Sequence, residues 1–466
     1  MAYTQLTMSP AVIQFARTHG ATGFHFGVLG ALPAGTFLMQ FFAAVAVNHM
    51  THRRRLWLVL SIIQRLICLP IALGPLLLPE VPDVIWIWSL ILSTLANHAM
   101  LHFCAPLWLS WMGDYLPHEG LNEFWGRRHV GMQWTAALTL GASALLLFGS
   151  GWHPDVVFAV LICVGAVAGV ADILIFLKVE EPPVTQIPQP RLSHVLAAPF
   201  KDRGFRSFIG YTCFWQFAAM TAAPFITVYM LDYLHMSLAQ VFMVWTVSWA
   251  GGGMLSGHVG QLVERHGHRP MLILCTALKS VNMVALLLVP FLAPAMPLLI
   301  LMPVFVIDSL LNAGIAVSSN GFLIKKSPKA NRTMYIAAGT ALAGLIGGVT
   351  SVLSGILLVM MGDWSITWAG VALSGFHVMF VISLVLRLTG IRLAWAVHEP
   401  DAKATRYVIS ELVGATPLRI LRYPLGLYRS LNGGLSAPTT VIADQDTEQT
   451  DVDKPSTPDE PLRRAG

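Results

Sequence analysis

Asp308 and Asn312 stand four residues apart in an apolar run, 298–322, with no other charged residue. On a helix that spacing puts both side chains on one face. A carboxylate in such a run can take and release a proton, or it can be held by a fixed cation. Lys279, in the preceding apolar run, is the candidate cation, and the residue types leave both roles open. A second polar set, Asn97, His98 and His102, lies in the run 84–110, and Gln216 lies in the run 206–231. Ionisable groups in lipid-spanning helices cost roughly 2.5–3.5 kcal/mol each, so they are expected to face a cavity or a partner. Arg65 sits well inside its run and has either a structural or a substrate-contacting role. His98 and His102 have metal-ligand spacing, but no acidic or cysteine partner recurs on that face. They are expected to line a cavity or pack, and no metal is expected.

These residues need elements to position them. The chain has 466 residues, of which 55% are hydrophobic and 11% charged, against about 25% charged in soluble domains. Lipid must solvate that much apolar surface. Eleven runs are near the roughly 20 residues that cross a bilayer. They cover about 23–50, 56–79, 84–110, 130–150, 155–178, 206–231, 238–260, 270–293, 298–322, 333–361 and 364–388. All five cysteines fall inside these runs, as packing residues rather than disulfides. Trp86, Trp88, Trp108 and Trp111 are placed as interfacial anchors.

Alternate loops divide sharply by charge. One set carries sixteen Lys and Arg residues, and the turns near 79–83, 149–155, 232–237, 293–297 and 362–364 carry none. The basic set is expected on the cytoplasmic side, with the C-terminus. The dispersed basic residues do not point to nucleic acid. No Ser/His/Asp set and no Walker motif occurs, so neither an enzyme nor an ATP-driven pump is expected, and no cofactor is implied.

One basic loop is used twice. Gly260, Glu264, Arg265, Gly267 and Arg269 form the better copy. The earlier copy is worn: Ala44, Asn48, His49 and Thr51 replace the glycines, acid and first arginine, and Arg53 and Arg54 keep the basic end. Setting Asn48 against Glu264 puts Ala96 opposite Asn312. Pro117 to Phe124 and Pro328 to Tyr335 form a second pair of related loops, each with an aromatic seven residues after a proline.

With these motifs, Trp111 to Arg128 and Ala21 to Pro33, the sequence resembles the major facilitator superfamily, in its bacterial type, over about 10–390. The resemblance implies an all-α polytopic membrane protein of two pseudo-symmetric helical bundles. Eleven runs then correspond to family helices 2–12. Residues 1–20 hold no spanning run, so family helix 1 is expected to be missing, through a start placed too far downstream or a truncated gene, with a working eleven-helix protein as the alternative. The divisions are 1–178 for the N-terminal bundle, 179–205 for a cytoplasmic linker and 206–390 for the C-terminal bundle. A basic membrane-surface segment over 391–434 and a disordered acidic tail over 435–466 follow.

Family helices 1, 4, 7 and 10 line the central cavity, which makes the polar set above the candidate substrate or proton-coupling residues. Asn48, His49, Arg53, Arg54, Gly260, Glu264, Arg265, Gly267 and Arg269 become a conformational switch. The implied function is secondary transport of a small solute by rocking alternating access, with protons as a candidate coupling ion. A monomer in the bacterial inner membrane is expected. A non-transporting receptor or scaffold of the same fold is the alternative.

Overall fold

A lipid-embedded backbone must satisfy its own hydrogen bonds, so long apolar runs become helices. The computed structural model describes residues 1–40, 42–43, 52–115, 121–148, 150–181, 201–294, 296–326, 332–400 and 402–414. Asn48 and His49 lie outside these residues, as do most of the expected linker, the region from 415 onward and so the acidic tail.

The N-terminal half contains α1 (Ala2–Thr7), α2 (Pro10–Thr18), α3 (Gly23–Gly35), α4 (Arg53–Leu66), α5 (Leu69–Leu77), α6 (Asp83–Tyr115), α7 (Leu121–Leu147) and α8 (Pro154–Ile175). The C-terminal half contains α9 (Arg203–Met220), α10 (Ile226–Asp232), α11 (Leu238–His266), α12 (His268–Leu292), α13 (Pro297–Lys326) and α14 (Arg332–Met361). A hairpin of β1 (Ser365–Trp368) and β2 (Val371–Ser374) follows, then α15 (Gly375–Ala396) and α16 (Thr405–Gly414). Among the described residues, nine helical stretches are long and apolar enough to cross a membrane, with α4–α5 and α9–α10 each counted as one.

Three expectations need revision. Residues 1–18, although they contain no spanning run, form α1 and α2, which pack on α8. The last run does not begin near 364. Ala369 and Gly370 both have positive φ, and they turn the antiparallel hairpin between Ser365 and Ser374. The helix after it therefore ends at Ala396, past the expected boundary of 390. The tryptophan anchors also divide: Trp88 is exposed, whereas Trp86 and Trp111 are buried. Trp86 would collide with any side chain at Gly74, and Trp111 meets Trp57 edge-on.

Repeated caps fix the internal register. At the start of α3 the Thr22 backbone N–H donates to His25 Nδ1 (3.0 Å), and at the start of α11 the Ser237 N–H donates to Gln240 Oε1 (2.8 Å). These side chains satisfy backbone donors that have no partner within the helix. The step from Thr22 to Ser237 is one position shorter than the step from Asn48 to Glu264 that the loop motifs indicate. Asn312 then corresponds to Asn97, not Ala96.

Among the described residues the halves meet mainly along two helix pairs, α3 with α14 and α7 with α11, and α2 also touches α10 and α11. Both seams use small residues, which let backbones approach closely. A Cβ on Gly355 would lie 2.4 Å from the Gly23 carbonyl oxygen, and one on Gly27 would lie 2.6 Å from that of Ser351. The Ser351 hydroxyl donates to the Gly27 carbonyl oxygen at 2.7 Å, a hydrogen bond between the halves. At the second seam Gly253 faces Gln133, and Gly141 faces Thr246.

Candidate functional site

The structure brings Asp308, Asn312 and Lys279 together. Lys279 Nζ donates to Asp308 Oδ1 at 2.7 Å, Asn282 Nδ2 to the same oxygen at 2.9 Å, and Asn312 Nδ2 to Oδ2 at 3.0 Å. Both charged side chains are nearly buried, with 7% and 11% exposure. Three donors thus converge on the two oxygens of this carboxylate. Arg387 joins the group from α15. Its Nη1 donates to the Lys279 carbonyl oxygen (3.2 Å), its Nε to the Ser383 hydroxyl (3.2 Å), and its guanidinium lies 5.6 Å from the Trp215 ring centre. Arg387 is not among the residues expected from sequence. An α15 that starts at Gly375 puts it mid-helix, whereas a run ending near 388 places it at the membrane edge.

The N-terminal half holds the corresponding node without the charge pair. In the register set by the caps, Gln64, Ser93 and Asn97 match Lys279, Asp308 and Asn312. Gln64 Nε2 donates to Asn97 Oδ1 at 3.2 Å, the Tyr3 hydroxyl to the Gln64 carbonyl oxygen at 2.5 Å, and Asn97 Nδ2 to the Tyr3 hydroxyl. Arg65 donates to Gln64 Oε1 and lies 4.3 Å from the Tyr3 ring centre. Its stem also presses on Gly169 of α8. Gln64 and Arg65 line a cavity of about 640 Å³ inside this half, along with Cys104, Arg128 and Asp172.

The remaining polar candidates stand apart from both nodes. His102 Nε2 donates to the Pro33 carbonyl oxygen (3.0 Å), tying α6 to α3, and its ring stacks with that of His98. His98 is buried and its Nδ1 has no hydrogen-bond partner. Gln216 packs against Gly347 on α14. Among the described residues, no group of three or more His, Cys, Asp or Glu could hold a metal.

The helix starts that follow the two basic loops are held alike, by an acid from an unexpected place. Glu399, after α15, accepts at Oε2 from the His268 and Arg269 backbone N–H groups at 3.1 and 2.7 Å. Arg269 Nη2 in turn donates to the Trp395 carbonyl oxygen (2.7 Å). Glu181, after α8, likewise accepts at Oε1 from the Arg53 and Arg54 N–H groups at 2.8 and 3.1 Å, and Arg54 donates to the Leu177 carbonyl oxygen. Each carboxylate thus caps the positive end of a helix dipole. Arg54, not Arg53, is the counterpart of Arg269. Gly267 has φ +95°, and a Cβ there would press on Ala402 at 2.9 Å. The side chains of Glu264 and Arg265 and the surroundings of Gly260 lie outside the described residues.

These contacts tie the start of α4 and the start of α12 each to its own half. Glu399→Gln is expected to lower stability by about 1 kcal/mol, and Glu399→Ala by about 2 kcal/mol, because α12 loses a charged acceptor for two N–H groups. Thermal unfolding of the purified protein checks the order. Equal midpoints for Glu399→Ala and the wild type would show that the cap contributes nothing.

A family model described as Major Facilitator Superfamily matches residues 1–305. No curated protein matches. Several solved structures share the fold. A mutant form of the nucleoside transporter NupG aligns with TM-score 0.63 at 13% identity, covering 86% of this chain and 100% of that one. A D-xylose-proton symporter aligns with TM-score 0.64 at 13% identity, covering 84% and 94%. The inward-open xylose transporter XylE from E. coli aligns with TM-score 0.61 at 12% identity, covering 87% and 96%. With the two capped, pseudo-repeated halves and their membrane-length helices, the profile match over most of the sequence places this chain in the major facilitator superfamily, as a multi-pass membrane protein.

Proposed function

We propose that the chain is a secondary active transporter that moves a small solute by rocking its two halves about the α3–α14 and α7–α11 seams. The observation that carries this reading is the character of those seams. Glycines line both, against backbone at α3–α14 and against side chains at α7–α11, while the polar nodes and loop caps stay within one half each. Each half can then tilt as a rigid body, with small residues sliding at the boundary. The basic loops face the cytoplasm in this reading, in a bacterial inner membrane, and one chain suffices.

The Lys279–Asp308 pair acts as a fixed strut. All three donors to Asp308 come from its own half, so rocking does not require the carboxylate to change partners. A proton remains the candidate coupling ion, carried elsewhere in the cycle.

Counterflow into proteoliposomes, with and without an imposed pH gradient, tests the proposal. The solute panel starts with nucleosides and pentoses, because the similar structures are transporters of nucleosides and xylose. Saturable uptake of one class above protein-free vesicles is expected. Absence of counterflow for every class, with correctly inserted protein, would favour the receptor or scaffold.

A further inference from the structure

The face without Lys or Arg in its loops carries a histidine between two carboxylates. His19 follows α2, and its side chain is 7% exposed. Nδ1 lies 3.2 Å from Asp83 Oδ1 at the start of α6, and Nε2 lies 3.5 Å from Asp155 Oδ1 at the start of α8. The ring is held edge-on against Phe15 at 4.4 Å. A neutral imidazole has one N–H, so only one of these nitrogens can donate. The other would turn its lone pair towards a carboxylate. Only the doubly protonated ring suits both sides. Neither His19 Nε2 nor Asp155 Oδ1, both buried, has a hydrogen bond.

We propose that His19 is a proton-binding site on this face, and that its protonation clamps the end of α2 to α6 and α8 and so closes the face. The link to closure is two residues away, where Arg17 of α2 pairs with Asp232 of α10 in the other half. Arg17 and Asp232 are themselves counterparts in the register set by the caps. A clamped α2 holds Arg17 where that cross-half pair forms. The other titratable groups around the clamp are His153, with Nδ1 3.4 Å from Asp155 Oδ2, and His235, near Asp232. Histidine is the side chain that ordinarily changes charge between about pH 5 and 8.

The inference rests on the rocking reading, and one experiment separates the two. Spin labels at Glu80→Cys and Asp363→Cys, exposed positions on this face in opposite halves, report its opening in the full chain with native cysteines replaced. The ratio of short to long distances is expected to rise about threefold to tenfold from pH 8 to pH 5.5. His19→Gln should abolish that rise. Asp83→Asn, at a side chain 68% exposed and so tolerant of change, should move the transition to lower pH. A wild-type ratio unaffected by pH, or pH responses in His19→Gln and Asp83→Asn identical to wild type, would overturn the proposal. Two distances that ignore pH would leave rocking standing; a single distance at every pH would count against rocking itself.

Discussion

Replacing Asp308 with leucine is expected to cost about 3–5 kcal/mol, because it leaves Lys279 charged, buried and without its carboxylate. Arg387, with its own positive charge in the same node, adds to the penalty. The double variant Asp308→Leu/Lys279→Met removes both charges and should recover most of the loss. This non-additivity distinguishes a strut from a proton carrier. A strut predicts that the double variant regains stability and substantial counterflow, with an unchanged response to the pH gradient. A proton carrier predicts a stable double variant whose uptake no longer follows the gradient. Thermal unfolding and counterflow on the three variants decide it, and loss of gradient response in a folded double variant would overturn the strut.

Gly355→Val should lower transport at least tenfold while leaving the protein folded. The new Cβ would lie 2.4 Å from the Gly23 carbonyl oxygen and 3.0 Å from Gly27 Cα, both backbone atoms with no side chain to yield. Overpacking of this kind costs about 1–3 kcal/mol, and here the cost falls on the arrangement in which α3 and α14 touch. The spin-label pair at 80 and 363 should therefore report a longer distance. Gly339→Ala on the same helix is the control. Its Cβ would meet only Leu323 and Ile209 side-chain atoms at 3.6 and 3.9 Å, ordinary contact distances. Wild-type uptake by Gly355→Val would mean that the seam is not a moving boundary.

Much of the frame was legible in the sequence because lipid imposes long apolar runs and charge sorts the loops. The polar set on α12 and α13 was also legible, since a lone carboxylate in an apolar run demands a partner. What escaped depended on register and distance. The hairpin at 365–374 reads as more apolar helix, which shifts Arg387 from the middle of α15 to its end. The Ala369–Gly370 turn was the available signal. Glu181 and Glu399 escaped because the N–H groups they accept from, at Arg53 and Arg269, are 128 and 130 residues away, and no local pattern announces that. The one-position slip in the repeat came from aligning worn loops. The caps at Thr22 and Ser237 show the true register, which turns Asn97 and Asn312 into counterparts.

The matching nodes also set an order of events on heating. Gln64, Ser93 and Asn97 carry no ion pair, although Arg65 donates to Gln64, where Lys279, Asp308 and Asn312 hold a buried ion pair on the same frame. The cost of keeping ions from water falls as temperature rises, whereas neutral hydrogen bonds gain nothing comparable. Warmth should therefore loosen the N-terminal half first and spare its charged twin, a sequence that hydrogen exchange along a temperature series would reveal. Reversed or simultaneous loosening would show that the frame, rather than the charge it carries, governs heat resistance.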